Sequence, residues 1–437
     1  MISYHSTRDP KRQGTSLSAA ISVGIAPDGG LYVPERLPEL SRADFMDRRS
    51  LERIGERLLA PFFDGDALAP ALPAIVSEAF SFPAPVVDVL PMRRSGWLGV
   101  LELFHGPTAA FKDFGARFLA AALSASPPRE KKRTILVATS GDTGSAVAAA
   151  FHRRPGFEVV IFYPAGMVSE RQEKQLTCWD GNVRTFSVRG DFDACQRLVK
   201  EAFLDRGLSS ALQLSSANSI NIGRLFPQVV YYAKASLECF ERTGKKPSFI
   251  VPTGNLGNGL ACIWAKAMGL PIEEIVLAQN RNRPVVDLFE RGSFQPRPTL
   301  QTLASAMDVG NPSNLERLQH MFPKLDELAT SVSAVSVDDA TIERTIAEEH
   351  ARSGQVLCPH TATAAEAYKQ LPLERRGRPW IWVATAHPAK FPTVVEPLIG
   401  RPVPVPSSLA KLLALPSRAE LLDPKLDALK RALLPSA

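Results

Sequence analysis

The chain has 437 residues, 45% apolar and 22% charged, with a net charge of +6; that predicts roughly three domain-sized units of ordinary globular composition. Its basic residues are spread out, with one tight run, REKKR at 129–133, so a nucleic-acid stripe is excluded and anionic small molecules are favoured. Five cysteines (178, 195, 239, 262 and 358) contain no C-x-x-C pair, which excludes a zinc site or disulfide framework and fits a reducing compartment.

The first residues, MISYHSTRDPKRQ, lack the apolar core of a secretory signal. No run approaches the ~20 apolar residues of a membrane span. A cytoplasmic protein with no membrane partner is expected. Residues 1–90 read as mainly helical with turn breaks: APDGGLYVPERLP (26–38) is turn-rich, and FMDRRSLERIGERLLAPFF (45–63) carries apolar residues at helical spacing. The Pro-rich FSFPAPVVDVLP (80–91) reads as a linker or edge segment.

From Leu98 onward strands alternate with helices. TILVATS (134–140), EVVIFYPAG (158–166), PSFIVPTGN (247–255), EEIVLAQN (273–280) and RPWIWVATAHP (378–388) are buried-strand runs. Their alternation with helical stretches predicts α/β organisation with mostly parallel sheet. The tail, LLDPKLDALKRALLP, reads as a closing helix. Expected units are an N-terminal segment (1–90), a smaller α/β domain (131–233) and a larger one (91–130 with 234–437).

Ligands of open parallel sheets bind beyond the carboxyl ends of strands, and three loops there stand out. In FIVPTGNLGNGLACIW a strand runs into Gly254, Asn255, Leu256, Gly257 and Asn258 and then a helix. Such a turn lets backbone N–H groups face an anion, phosphate being the natural guest; a tight left-handed turn without a ligand is the alternative. LVATSGDTGSAVAAAF repeats the pattern, with Thr139, Ser140, Thr143 and Ser145 offering hydroxyls to a carboxylate, or simply capping their helix.

The third stretch, ELFHGPTAAFKDFGARFL (102–119), puts Lys112 between Phe111 and Phe114 at a loop–helix junction. Burial and the helix dipole both disfavour a cation there and push toward a neutral amine, as a nucleophilic lysine requires. The alternative is a lysine snorkelling to water, with Asp113 a first-turn acid. No G-x-S-x-G or H-E-x-x-H occurs, and His350, Cys358 and His360 lack ligand spacing, so no metal is expected and a structural or surface role is their default.

Taken in order, the lysine junction, SGDTG and TGNLGN resemble the fold-type II pyridoxal phosphate enzymes, of tryptophan synthase β-like fold. MISYHSTRD, APDGGLYVP, ATSGDTGSA, SSANSINIGRL and ATAHPAKFP sharpen the resemblance to the longer form of the threonine synthase family, over residues 1 to about 396. The resemblance implies pyridoxal 5'-phosphate held as an internal aldimine on Lys112. Its phosphate would lie on the loop from Gly254 to Asn258, and the hydroxyl of Thr385 would meet the pyridine nitrogen. The implied substrate is O-phospho-L-homoserine. Its carboxylate would be met by Thr139, Ser140 and Thr143, and its phosphate by Asn218, Ser219 and Arg224, with Asn258 in reach.

The implied reaction is γ-elimination of phosphate followed by β-addition of water, giving L-threonine. A serine/threonine dehydratase-like lyase and a silent ligand-binding member of the family are the alternatives. Locally, Arg224 also reads as a surface helix residue and Thr385 as a strand end. Asp142 departs from the pattern, because many fold-type II enzymes carry Asn there to donate to the cofactor's phenolic oxygen; a carboxylate repels a phenolate. The partner of that oxygen stays open, as do the roles of His387, Lys390 and SERQEKQ (169–175), and the choice between monomer and homodimer.

Overall fold

Uninterrupted apolar runs such as Thr-Ile-Leu-Val-Ala cannot present a polar face, so they form strands covered on both sides. The computed structural model describes all residues except 48, 94–95, 128–130 and 435–437. Arg129 and Glu130 of the basic run therefore lie outside the described residues. In chain order the strands are β1 (Tyr4–Ser6), β2 (Tyr32–Pro34), β3 (Val86–Arg93), β4 (Gly96–Glu102), β5 (Arg133–Ala138), β6 (Phe157–Pro164) and β7 (Val183–Val188). They continue with β8 (Leu214–Ser216), β9 (Ser248–Pro252), β10 (Ile275–Gln279), β11 (Val332–Ser336), β12 (Pro379–Ala384) and β13 (Glu420–Leu422).

The larger sheet runs β11-β10-β9-β12-β4-β3 and the smaller β13-β7-β6-β5-β8. Every pair is parallel except β3 with β4. The Pro-rich 80–91 segment thus ends in an antiparallel edge strand. The five apolar runs all form strands, at β5, β6, β9, β10 and β12. The short or polar strands β7, β8 and β11 carry too little apolar pattern to stand out. The N-terminal segment is helical over Leu17–Val23, Leu51–Phe63 and Leu72–Ala79, and also holds the antiparallel ribbon β1–β2.

One expectation is corrected at the C-terminus. Glu420–Leu422 is not helix but strand β13 on the edge of the smaller sheet, followed by helix Leu426–Leu433. Arg184 pairs with Glu420, and Arg189 with Asp423. The end of the chain therefore packs with the smaller sheet rather than with the larger unit. A three-residue strand has no periodicity to read.

Helix Lys112–Ala125 lies in the main core. Phe114 packs against Phe80, Phe82 and Tyr231, and Phe118 against Phe63. Its first residue therefore starts from a rigid base, with the carboxyl ends of β5, β9 and β12 opening toward it. No described helix is long and apolar enough to cross a membrane.

Candidate active site

Residues just past three strand ends line one pocket together with Lys112: Thr139 after β5, Gly254 after β9 and Thr385 after β12. The Lys112 junction is zipped to the end of β12. Phe111 donates its N–H to the Thr385 carbonyl at 2.8 Å, His387 donates to the Ala109 carbonyl at 3.0 Å, and Ala110 bridges Ala386. Asp113, in the first helical turn, reaches back to accept from the Thr108 N–H (2.9 Å) and hydroxyl (2.7 Å). Burial pushes its carboxyl up to about 6, against those hydrogen bonds.

Lys112 opens the helix, as its flanking sequence predicts, and does not reach out to bulk water. Its ammonium lies 5.8 Å from the Phe111 ring centroid and makes no ion pair with any described residue. It is open only toward the pocket. Burial lowers its pKa from 10.5 to about 8; Asp142 opposes the shift, while Arg224 and Lys390 add to it.

The 254–258 turn forms the floor. A Cβ on Gly254 would lie 2.5 Å from the Met307 Cα, so only glycine fits where β9 ends. Leu256 takes a left-handed φ of 63° before helix Gly257–Ala267 begins. The first backbone bond closing that helix is Leu260 N–H to the Leu256 carbonyl at 2.8 Å, and the N–H groups before it are the usual anion donors of a helix start. Asn255 donates to Ser219 Oγ at 2.5 Å and accepts from the Ser313 N–H, which fixes the turn to the neighbouring loop. The Asn258 side chain points elsewhere: its Oδ1 accepts from the Tyr231 and Tyr232 hydroxyls at 2.7 and 2.8 Å. Its amide is therefore engaged, contrary to the expectation that it reaches substrate, and the backbone is what it offers the pocket.

Thr139 lines the pocket. Its Oγ1 accepts from the N–H groups of Gly141 and Gly144, both at 3.0 Å, and so holds its own loop together. Ser140 and Thr143 line the pocket and are partly exposed in it. On the far side lie Asn218, Ser219 and Arg224. Arg224 is 4% exposed, not a surface residue. Its Nη1 donates to the Ala217 carbonyl at 2.5 Å, while its Nε and the Asn218 Oδ1 are buried without a partner. Burial lowers the guanidinium to about 10, against Asp113, and no described carboxylate pairs with it.

Sequence reasoning missed several pocket residues. His360 lines it, its Nε2 accepting from the Ala306 N–H at 3.0 Å, and burial lowers it to about 4, so the ring is neutral. Phe192, Gln196, Gln228, Met307 and Asn311 line it too. None sits in a motif, and only the fold brings them in. A cluster of three metal-ligating side chains is absent among the described residues.

Three family models match the chain. Residues 92–386 match the model for pyridoxal-phosphate dependent enzymes, 3–80 the threonine synthase N terminus and 361–433 the threonine synthase C-terminal model. The threonine synthase of Haemophilus influenzae is 39% identical over 436 residues, covering all of both chains. The chain belongs to the threonine synthase family. A crystal structure of threonine synthase from Escherichia coli superposes with a TM-score of 0.89 at 38% identity, covering 99% of each chain. A pyridoxal-phosphate-bound threonine synthase from Brucella melitensis gives 0.89 at 33%, covering 99% and 98%.

As a threonine synthase family member the chain is a fold-type II lyase acting on a small molecule, with pyridoxal phosphate as its coenzyme. The pocket fits that group: it has a lysine without an ion-pair partner among the described residues, a helix-start turn for a phosphate, and buried polar atoms, Arg224 Nε and Asn218 Oδ1, that no described residue satisfies.

Proposed function

We propose that this threonine synthase family member converts O-phospho-L-homoserine and water to L-threonine and phosphate, with Lys112 as attachment point and proton carrier. The coenzyme, when bound, supplies the electron sink for a carbanion at the substrate Cα. The turn formed by Gly254, Asn255, Leu256, Gly257 and Asn258 would hold its phosphate, chiefly through backbone N–H groups, and the Thr385 hydroxyl would meet its ring nitrogen. Ser140 and Thr143 receive the substrate carboxylate, and Thr139 shapes their loop. Asn218, Ser219 and Arg224 receive the substrate phosphate.

Lys112 would move protons at the substrate Cα and Cβ from one side, because a flexible amine reaches adjacent carbons. Its lowered pKa keeps a usable neutral fraction near neutral pH. We assign coenzyme binding to the larger α/β unit, and substrate closure to the smaller unit around 131–233 together with 420–434.

The observation that carries this reading is the pairing of two cations without counter-ions, Lys112 and Arg224, in one pocket. A dehydratase has no distal phosphate for Arg224 to meet. Incubating the purified protein with O-phosphohomoserine should release phosphate and threonine in equal amounts. Ketoacid formation from threonine with no phosphate release would overturn it.

A further inference from the structure

Asp142 and Lys390 form an ion pair that the reaction as proposed does not use. Their contact is 2.7 Å, and the side chains are 3% and 0% exposed. The pair spans the two sheets. Asp142 opens helix Asp142–Phe151 behind β5, and Lys390 lies in the short turn Pro388–Lys390 after β12.

Both members are tied to the pocket walls. Lys390 Nζ also donates to the Thr108 carbonyl at 2.9 Å, in the loop that delivers Lys112. Gln172 donates to Asp142 Oδ1 at 3.2 Å, and a Cβ on Gly141 (φ 139°) would meet that amide at 2.5 Å. Ser169 and Arg171 in turn donate to the Lys390 and Ala389 carbonyls. The SERQEKQ segment is thus a clamp on both partners.

A buried ion pair seldom stabilises a fold better than apolar residues of the same volume, so its presence beside Lys112 needs another cause. The charges facing this spot are Lys112, Arg224, Lys390 and Asp142, with Asp113, His360, Cys358 and His387 near the pair. Without Asp142 the Lys390 ammonium would stand uncompensated behind a pocket that already holds Lys112 and Arg224. Without Lys390 a bare carboxylate would stand where many fold-type II enzymes have a neutral amide.

We propose that Lys390 and Asp142 are a matched pair of positioning residues that keeps the charge beside Lys112 balanced, and so sets how firmly the coenzyme-linked Lys112 nitrogen keeps its proton. Burial alone would raise the Asp142 carboxyl, but the Lys390 and Lys112 ammonium groups outweigh it and hold it well below the usual carboxylate range. The ionised carboxylate is thereby spent on Lys390 and Gln172 rather than aimed at the coenzyme. The inference rests on the attachment of coenzyme to Lys112.

The test is a pH titration of the visible coenzyme band of the holoenzyme, without substrate. Lys390→Met strands a carboxylate near the protonated linkage and should raise the midpoint by about 1 pH unit. Asp142→Asn strands a cation and should lower it by a similar amount. The double variant, neutral at both positions, should return to within about 0.3 of wild type, and Lys390→Arg should stay there as well. Singles that move the midpoint the same way, or not at all, overturn the proposal. Should either single fail to fold, the double decides: a midpoint displaced by about 1 or more contradicts a balanced pair. A wild-type protein that takes up coenzyme without any visible lysine-linked band would instead overturn the attachment to Lys112.

Discussion

Four buried or partly buried cations surround the pocket, and they divide by what their donors hold. Lys390 and Arg317 are fully employed by the frame. Arg317, 0% exposed, donates to the carbonyls of Tyr32 (3.0 Å), Ser219 (3.2 Å) and Ile220 (2.5 Å) and to Asn314 Oδ1 (2.7 Å). It ties ribbon β1–β2 to the loop that carries Asn218 and Ser219. Lys112 and Arg224 line the pocket; Lys112 makes no ion pair with a described residue, and Arg224 keeps its Nε without a described partner. Burial and charge are common to both groups, so neither marks a ligand site. Unspent hydrogen-bonding capacity in a pocket wall separates them, because a buried polar group without a partner is costly unless a ligand supplies one; the unpartnered Nε1 atoms of Trp264 and Trp382 lie outside that lining.

Substitutions on the two sides of this divide should fail in different ways. The largest effect belongs to Lys112→Ala, which should abolish the lysine-linked coenzyme band and cut turnover by roughly 10³-fold or more. Absorbance and phosphate release measured on one preparation check both. Next is the arginine pair. Arg317→Met leaves three carbonyls without their donor and should cost about 2–4 kcal/mol of stability, read by urea unfolding.

Arg224→Met, which removes a donor from the Ala217 carbonyl alone, should cost about 1 kcal/mol of stability while raising KM for the phosphorylated substrate about 10–100-fold, the size of a lost charge-assisted contact. If the two arginine variants behaved alike, the division between frame and pocket would fail. Smaller still, Tyr231→Phe or Tyr232→Phe removes one donor to Asn258. Each should cost about 1 kcal/mol of stability and only slightly weaken coenzyme affinity.

The pH dependence of coenzyme attachment sharpens the comparison from the lysine side. The neutral amine is the reactive form, and burial lowers the Lys112 pKa from 10.5 to about 8. Attachment to the coenzyme-free protein should therefore accelerate as pH rises to about 8 and then level off. A rate that keeps climbing toward the ordinary lysine range would show that Lys112 is not desolvated.

What was legible in the sequence follows the reach of each interaction. The turn after β9 and the Lys112 junction lie in short stretches whose residues act on immediate neighbours, and the structure brings both, with Arg224, to one pocket. The smaller sheet's central strands were legible as apolar runs. Thr139 was read as a ligand because a hydroxyl in a small polar loop suits a carboxylate. Within the protein its hydroxyl accepts from the N–H groups two and five residues on, a local alternative that no pattern separates from the first.

Lys390, Gln172 and Arg317 could not be read in this way. Lys390 meets Thr108 across 282 residues, and Arg317 meets Tyr32 across 285; only topology makes those contacts. Asp142 departs from the Asn that many fold-type II enzymes carry, and its counter-charge, Lys390, lies 248 positions on in the turn after β12, beyond any local pattern. Strand β13 was invisible because three residues show no alternation.

The most direct test is borohydride reduction of the coenzyme-loaded protein, followed by peptide mass mapping. The account predicts the coenzyme adduct on the peptide containing Lys112, with Lys390 unmodified. An adduct on Lys390, or on any other lysine while Lys112 stays free, would contradict it.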